Sequence, residues 1–252
     1  MRLVAIYNAW SDCLDLLAKS ITNIIPVVDA VIVVWSNKSN NNANYIKFDF
    51  VYRHPKVSFH QAEPIPYFQA NQNETMKRNI GIEQAKREGF THFLIIDSDE
   101  FYHQEDVIKE SNRIEREDLN GLVCGLRVYI KKPTLWCEDH TLVPFIQKIT
   151  KEVSVGDHKL YPYAYDRERR AHIDPTRRPS HKDKIGWSEV IMHHFSWVRK
   201  DLNLKINNST ASANIKRSTI YKDIEAAAPG IYNEFYRDTI KECEDVFNIE
   251  GA

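Results

Sequence analysis

The amino-acid sequence predicts an α/β domain with a mixed, mostly parallel sheet flanked by helices. Across the first hundred residues, short apolar runs rich in branched side chains alternate with stretches of helical periodicity. The chain has 252 residues, 42% hydrophobic and 27% charged, so it can bury a full core and is not a disordered or collagen-like chain. Its 34 basic residues balance 35 acidic ones, which argues against blanket binding of nucleic acid.

The elements of the first half follow from this alternation. Residues 3–9 form an apolar run that ends in small and polar side chains, and Pro26 ends the helix that comes after it. Gly89 stands where the C-terminal glycine of a later helix belongs. The remaining predicted elements of this half are strands at 30–36, 57–63 and 92–97 and a helix at 73–88.

The second half is predicted to be more antiparallel and to end in helices. The proline-rich, basic segment 161–186 is expected to be irregular, and a last amphipathic helix is expected near 231–246. We therefore expect a domain over residues 1–200 and a C-terminal helical extension over 201–252 that packs on it. The predicted strands of this half are 121–130, 145–151 and 187–198.

The four cysteines lie far apart and form no CxxC pair, which favours reduced thiols over a disulfide or zinc framework. No run approaches the roughly 18 apolar residues of a membrane helix. The opening MRLVAIYNAW leads directly into a strand, without the pattern of a secretory signal. These features predict a cytoplasmic protein, in the host cytoplasm if the gene is viral. The cysteines are Cys13, Cys124, Cys137 and Cys243.

Two carboxylates follow a buried apolar run: Asp97 and Asp99 are separated by one serine and come directly after Phe93–Ile96. In open α/β sheets, ligands bind at the carboxyl ends of the strands, where these side chains would lie. Hard carboxylate oxygens suit Mg²⁺ or Mn²⁺, with phosphate and water completing the shell. The plainer interpretation is a solvated turn, because Asp and Ser are common turn residues.

Two other clusters could serve the same ligand. His193 and His194 lie on a predicted strand and point to opposite faces, so only one of them is expected to reach the aspartates. Lys77 and Arg78 come early on the helix before the aspartates, where positive charge favours a phosphate-bearing ligand. Taken alone, such clusters are more often a core histidine or a solvated helix face.

Three segments follow one another in the sequence: VAIYNA at the first strand, ETMKRNIGIEQAKREGFTHFLIIDSDEFY around the aspartates, and HHFSWVR on the later strand. Their combination resembles the GT-A-fold nucleotide-sugar glycosyltransferases, near glycosyltransferase family 2, over residues 1–200. The resemblance implies a metal-dependent enzyme that moves a sugar from a nucleoside diphosphate sugar to an acceptor hydroxyl. It implies Mn²⁺ or Mg²⁺ as the cofactor and a UDP-sugar as the leading donor.

The resemblance also implies roles for individual residues. Asp99 would be the principal metal ligand and His194 a further one, while Asp97 would contact the ribose or sugar, or the metal through water. Arg78 would face the donor diphosphate or the donor sugar, and Arg199 would flank the diphosphate. The residues implied to line the nucleotide are Tyr7, Asn8 and Ala9.

The sequence departs from the family in two places. Members often carry an acidic residue after the second strand to hold the base or ribose, and this chain has Trp35-Ser36-Asn37 there. The catalytic carboxylate of inverting members is not marked by a motif, so the stereochemistry stays open. The candidates for a catalytic base are Glu138, Asp139 and Asp157.

The sequence leaves more than one interpretation for the acceptor and for the class of function. The acceptor is a glycan or a modified nucleobase in DNA: the stretch RERRAHIDPTRRPSHKDK could follow a phosphate backbone, although such charge runs are more often solvated loops. A metal-dependent nucleotidyltransferase would also use paired carboxylates, but the chain has no glycine-rich loop after its first strand. A catalytically inactive module that binds sugar nucleotides is the third class. The oligomeric state is left open.

Overall fold

The computed structural model describes residues 1–11, 14–42, 44–166, 171–208 and 217–249. No helix in these ranges is long and apolar enough to cross a membrane. Of the four cysteines, Cys13 lies outside these ranges and the other three are free thiols. The elements in chain order are β1 (Leu3–Ala9), α1 (Leu14–Ile24), β2 (Ala30–Trp35), β3 (Val57–Gln61), α2 (Ala70–Arg87), β4 (His92–Asp97), β5 (Glu100–Phe101), α3 (Gln104–Arg116), β6 (Gly121–Ile130), β7 (Leu135–Lys148), β8 (Tyr165–Asp166), β9 (Ala171–Ile173), β10 (Ile185–Trp197), α4 (Leu202–Asn208), α5 (Arg217–Glu225), β11 (Tyr232–Asn233), β12 (Asp238–Thr239) and β13 (Lys241–Glu242).

The central sheet begins with the parallel strands of the first half. Its order is β3-β2-β1-β4-β7-β6-β10-β5, and β1 pairs in parallel with both β2 and β4. The prediction that residues 3–9, 30–36 and 92–97 form neighbouring strands of one sheet is therefore confirmed. The sheet is mixed and flanked by helices, so the architecture is α/β and Rossmann-like, consistent with a GT-A-like domain.

Two apolar layers enclose β1, because successive side chains of a strand point to opposite faces. Tyr7 belongs to the layer that contains α1, and Ile6 belongs to the layer that contains α2. Gly81 lets α2 lie directly on the strand, since a Cβ at this position would come within 2.3 Å of Ile6 Cγ2. Because α2 connects β3 to β4, its first turns lie near the carboxyl ends of the parallel strands.

The strand predicted at 145–151 is much longer and begins at Leu135. Its first half carries Glu138, Asp139 and His140, whose charge and polarity resemble a loop. Glu138 and Asp139 nevertheless belong to a strand, because they pair antiparallel with Arg127 and Leu126 of β6. The second half is not wholly antiparallel, since β6 and β10 pair in parallel.

The helix predicted near 231–246 is wrong. Strands β11 and β12 form a short hairpin there, and β13 pairs antiparallel with β7. Asn233 Oδ1 accepts a hydrogen bond from the backbone N–H of Tyr236 at 2.9 Å, and Arg237 adopts a positive φ of 55°. Such side-chain-to-backbone bonds compete with helical ones, so the apolar residues of this segment fold back onto the sheet instead.

Several of the described residues after 200 pack on β6, β7 and β10. Ile206, Ile224 and Ile240 share one apolar cluster with Val128 and Trp197 of the sheet. Two short helices, α4 and α5, precede the hairpin. The division of the chain at residue 200 stays a prediction.

Candidate functional site

A cavity of about 610 Å³ opens at the carboxyl ends of β1 and β4. The two strands end level, because Asn8 pairs with Asp97 in their register. The walls of the cavity come from the first turns of α2, from β7, from the end of β10 and from the β11–β12 hairpin. This is the edge of the sheet at which α/β proteins bind their ligands.

Asp97 is held by two arginines from distant parts of the chain. Arg78 Nη2 donates to Asp97 Oδ2 at 3.0 Å, and Arg177 Nη2 donates to the same oxygen at 2.5 Å. Arg177 also donates through both terminal nitrogens to the buried Glu100, at 3.0 and 2.5 Å. Burial raises the pKa of Asp97, but Arg177 and Arg78 outweigh it and lower that pKa below its ordinary value. We call these four residues the inner network.

Arg78 connects the inner network to the segment after β9. The guanidinium is 1% exposed, and its Nη1 donates to Thr176 Oγ1. Thr176 in turn donates its hydroxyl hydrogen to Asp174 Oδ1 at 2.8 Å. Glu74, one helical turn before Arg78, lies 3.9 Å from Nη1. The predicted phosphate-binding arginine is therefore fixed on several sides by the fold.

Asp99 lies across the turn at Ser98 and is surrounded by a different set of basic groups. Arg199 Nη2 and Lys205 Nζ donate to its Oδ2, the lysine at 3.3 Å. His194 Nε2 lies 3.3 Å from the same oxygen. Burial raises the pKa of Asp99, but Arg199, Lys205 and His194 lower it well below its ordinary value. The carboxylate is ionised, and we call this set the outer cluster.

The two histidines of β10 point to opposite sides, as the sequence predicts. His194 lines the cavity. His193 is buried, and its Nδ1 lies 2.8 Å from the hydroxyl of Tyr129. Its ring packs edge-on against His103 and Phe247. Because burial lowers the pKa of His193 to about 3, its imidazole is a neutral part of the core.

The end of β1 contributes two of its three predicted lining residues. Asn8 and Ala9 line the cavity. Tyr7 faces the core instead, where its hydroxyl lies 2.8 Å from Ser20 Oγ. Lys77 also lines the cavity and donates to Ser36 Oγ at 3.1 Å. The segment that departs from the family motif thus lies beside a buried lysine.

Of the three base candidates, Asp139 lines the cavity. Glu138 points to the opposite face of β7, where it is exposed and lies 3.4 Å from Lys241 Nζ. Asp157 is 59% exposed and pairs with Arg178 at 2.6 Å. It contributes to a separate groove beside α2. The geometry therefore favours Asp139 among the three.

Several lining residues carry no predicted role. Arg177 comes from the basic segment, 80 positions away from Asp97. A partial signal for it was present, because Glu100 follows the aspartates in an apolar context and a buried carboxylate requires a cation. The hairpin supplies a further group, formed by Phe235, Tyr236 and Arg237.

The basic segment is not a uniformly solvated loop. Arg177 belongs to the inner network, and Arg178 is 13% exposed and paired with Asp157. Lys184 pairs with Asp118 at 2.5 Å. Residues 167–170, with three of the predicted basic side chains, lie outside the described ranges. Much of the described positive charge in this segment is therefore matched by carboxylates of the same chain.

The described residues contain no group of three His, Cys, Asp or Glu side chains arranged for a metal ion. The predicted ligands Asp97, Asp99 and His194 do not form one cluster, because Asp97 is turned toward its two arginines. Asp99 and His194 do bring a hard carboxylate oxygen within 3.3 Å of an imidazole nitrogen. Carboxylate and imidazole are ligand types that divalent ions accept, with phosphate and water as further ligands.

No protein-family model matches the chain, and no curated protein matches it. Solved structures similar to it include S. aureus TarS 1-349, at 13% identity and a TM-score of 0.42, over 88% of this chain and 68% of that one. The same fragment in complex with UDP-GlcNAc has 12% identity and a TM-score of 0.39, over 88% of this chain and 70% of that one. A further S. aureus TarS structure has 14% identity and a TM-score of 0.39, over 90% of this chain and 42% of that one.

Proposed function

We propose that the protein transfers a sugar from a nucleoside diphosphate sugar to an acceptor hydroxyl. The observation that supports this most is the outer cluster: an ionised Asp99 with His194, Arg199 and Lys205 at the ligand-binding edge of a parallel sheet. A donor of this class needs positive charge around its diphosphate when that group departs. The outer cluster concentrates such charge where the strands end.

The donor nucleotide is assigned to the side of the cavity formed by β1 and α2. Asn8, Ala9 and Trp10 line this side together with Lys77. The diphosphate would then point toward Arg199 and Lys205. Both cations contact Asp99 in the protein alone, so they are already positioned before a donor arrives. Such preorganised charge stabilises the transition state without reorganisation.

We assign Mn²⁺ or Mg²⁺ as the cofactor, with Asp99 and His194 as its protein ligands. When bound, the ion supplies positive charge to the diphosphate leaving group. Two protein ligands leave several positions for phosphate, so metal affinity should depend on the nucleotide. Asp97 acts differently: its carboxylate orients Arg78 at the floor of the cavity.

Asp139 is the residue we assign as the catalytic base of an inverting transfer. Strand β7 lies across β4 from β1, so Asp139 reaches the cavity from the side opposite the donor. Its Oδ1 accepts a hydrogen bond from the backbone N–H of Thr141 at 2.7 Å, which orients the carboxylate. It would take the proton of the acceptor hydroxyl while that oxygen attacks the anomeric carbon and the bond from this carbon to the diphosphate breaks.

Donor hydrolysis tests the proposal. The protein is incubated with a panel of UDP-, GDP- and dTDP-sugars and Mn²⁺, and the released nucleoside diphosphate is measured. We expect release from at least one donor, and a fall on the order of 10²-fold or more in Asp99→Asn. Asp157→Asn is the matched control, because the same substitution there lies outside the cavity and should leave release unchanged.

Three results separate the remaining alternatives. Nucleotide-sugar binding without release would indicate the inactive binding module. Incorporation of a nucleotide with release of pyrophosphate would indicate the nucleotidyltransferase. Equal release by Asp99→Asn and wild type would show that the outer cluster is not the reacting site.

A further inference from the structure

The β11–β12 hairpin places aromatic and basic side chains in the cavity. The proposed binding of the donor does not involve these side chains. Phe235, Tyr236 and Arg237 at its tip line the same cavity as Asp139. The Phe235 ring is half-buried and the Arg237 side chain is exposed. Strand β13 directly follows the hairpin and pairs with β7, the strand that also carries Asp139. This side of the cavity therefore lies across β4 from the proposed nucleotide.

The hairpin is firmly attached to the sheet. Asn233 is 3% exposed, and its backbone carbonyl accepts from the N–H of Arg237 at 2.8 Å. Tyr236 OH accepts from Trp197 Nε1 at 2.6 Å. Asp238 Oδ2 accepts from the backbone N–H of Glu138 at 2.9 Å. These contacts hold the tip in one position, so a ligand would meet side chains that are already placed.

The exposed chemistry of the tip suits a sugar ring. Phe235 packs edge-on against Tyr236, with ring centroids 4.6 Å apart, so the phenyl group is fixed by a neighbouring ring. An aromatic face is electron-rich and attracts the weakly positive C–H groups of a pyranose. Arg237 adds several N–H donors in a planar fork, which can bind vicinal hydroxyl groups. The aromatic ring thus suits the C–H groups of a sugar, and the neighbouring guanidinium suits its hydroxyl groups.

We propose that Phe235 and Arg237 form the acceptor subsite and bind a pyranose ring of a glycan, with the accepting hydroxyl directed toward Asp139. This inference rests on the proposed function, because it assumes that the cavity also holds a sugar donor. DNA is the less favoured occupant. A nucleobase could stack on Phe235, but the Arg177, Arg178 and Lys184 side chains that could follow a phosphate backbone are already paired with carboxylates.

Binding to a printed array of bacterial, plant and animal glycans tests the subsite without any donor. The variants are Phe235→Ala and Arg237→Ala, and both side chains are open enough that folding should persist, which a thermal melt checks. Tyr67→Ala is the matched control, since this aromatic ring is 83% exposed on the loop before α2 and lies outside the cavity. A short DNA duplex is tested in parallel as a competitor.

We expect the wild type and Tyr67→Ala to bind the same glycans, and Phe235→Ala to lose on the order of tenfold or more in apparent affinity. Arg237→Ala should lose less, because its hydrogen bonds are exposed to water. An unchanged signal in Phe235→Ala, no glycan bound by the wild type, or binding of the DNA duplex alone would overturn the subsite.

The two proposals can fail separately. If the wild type releases no nucleoside diphosphate from any donor but binds a glycan through Phe235, the transferase proposal fails and Phe235 belongs to a glycan-binding site without an acceptor role. If donor hydrolysis depends on Asp99 but glycan binding does not depend on Phe235, the transferase proposal stands and the subsite is wrong.

Discussion

Asp97 and Asp99 are separated by a single residue, yet they differ in nearly every physical respect. Asp97 lies at the end of β4 and joins Arg78, Arg177 and Glu100 in the inner network. Asp99 lies past the turn, and its partners follow β10 in the chain. The side chain of Asp97 is 26% exposed and that of Asp99 is 3% exposed.

This difference shows how one short motif can serve both the fold and the chemistry. The inner network ties α2 and the segment after β9 to the central strand, so its charges compensate one another permanently. In the outer cluster the cations of Arg199 and Lys205 converge on one carboxylate oxygen of Asp99. Such a surplus is useful when an anionic ligand arrives. We therefore expect substitutions in the inner network to act mainly on stability, and those in the outer cluster mainly on turnover.

The largest expected effect is the loss of stability in Arg177→Met. Removing this guanidinium leaves Glu100 buried without its cation. Asp97 retains Arg78, whereas Glu100 retains, among the residues that the structure describes, the backbone N–H of Asp97. Breaking a buried ion pair from one side costs about 3–5 kcal/mol. A fall in Tm of roughly 10 °C should follow, measured by thermal unfolding.

The neighbouring arginine supplies the control. Arg178 pairs with Asp157, whose carboxylate is 59% exposed, so Arg178→Met should cost less than about 1 kcal/mol. Equal Tm values for the two variants would contradict the contrast between the networks. Recovery of Tm in Arg177→Met with Glu100→Met would support it, because the uncompensated carboxylate is then gone.

The next largest effect is expected for Arg199→Ala, and it concerns the rate of turnover rather than the stability of the fold. We expect kcat to fall on the order of 10²-fold, because a cation beside the departing diphosphate acts mainly in the transition state. The melt should change little, since Asp99 keeps Lys205 and His194 as partners. Steady-state kinetics and a thermal melt measure both quantities.

Arg78→Ala completes the comparison of the two arginines. The sequence predicts the same role for both, but Arg78 also belongs to the inner network. We expect Arg78→Ala to lower kcat and Tm together, whereas Arg199→Ala lowers kcat alone. If both variants melt normally and turn over at near wild-type rates, neither arginine serves the diphosphate.

The parallel half of the fold could be predicted because each of its elements carries a local signal. The residues of β1, β2 and β4 are apolar on both faces, as strands buried between two helical layers must be. The first half of β7 has no such signal, because its polar residues face the cavity or solvent and only pairing with β6 makes it a strand. At 231–246 the apolar spacing suggested a helix, but the turn at Asn233 prevails through a single side chain.

The contacts of the candidate site also include some that the sequence predicts and others that it does not. The proximity of Asp99 to His194 was expected from the resemblance, which implies that the aspartate segment and the HFSW segment contribute to one site. The contact between Asp97 and Arg177 spans 80 positions and has no periodic pattern. Only the packing of the segment after β9 against α2 brings them together. Long-range partners of buried charges therefore have to be taken from the structure, even where the motif itself is plain in the sequence.

The smallest expected effect is an acid-sensitive loss of stability at the amino end of β4. Burial and the nearby Lys148 lower the pKa of His92 to about 4, from 6.5. The folded state thus favours the neutral imidazole, so His92 contributes its stability above pH 6.5 and loses it as the pH falls toward 4. The carboxylates of Asp97 and Asp99 stay ionised in this window, because their arginines lower both pKa values. The two networks at the other end of the strand should therefore not respond.

Urea unfolding between pH 7 and pH 4.5 measures this loss, for which we expect about 1–2 kcal/mol once solvent screening is allowed for. The glutamine of His92→Gln stays neutral throughout this range, so the substitution should remove part of the pH dependence of the free energy of unfolding. His181→Gln and His193→Gln should each flatten another part of this pH dependence, since burial also lowers the pKa of His181 and of His193. If the pH dependence of His92→Gln matches that of the wild type, acid acts elsewhere. If Arg177→Met instead removes the dependence, the inner network titrates in this range and is less firmly paired than its geometry indicates.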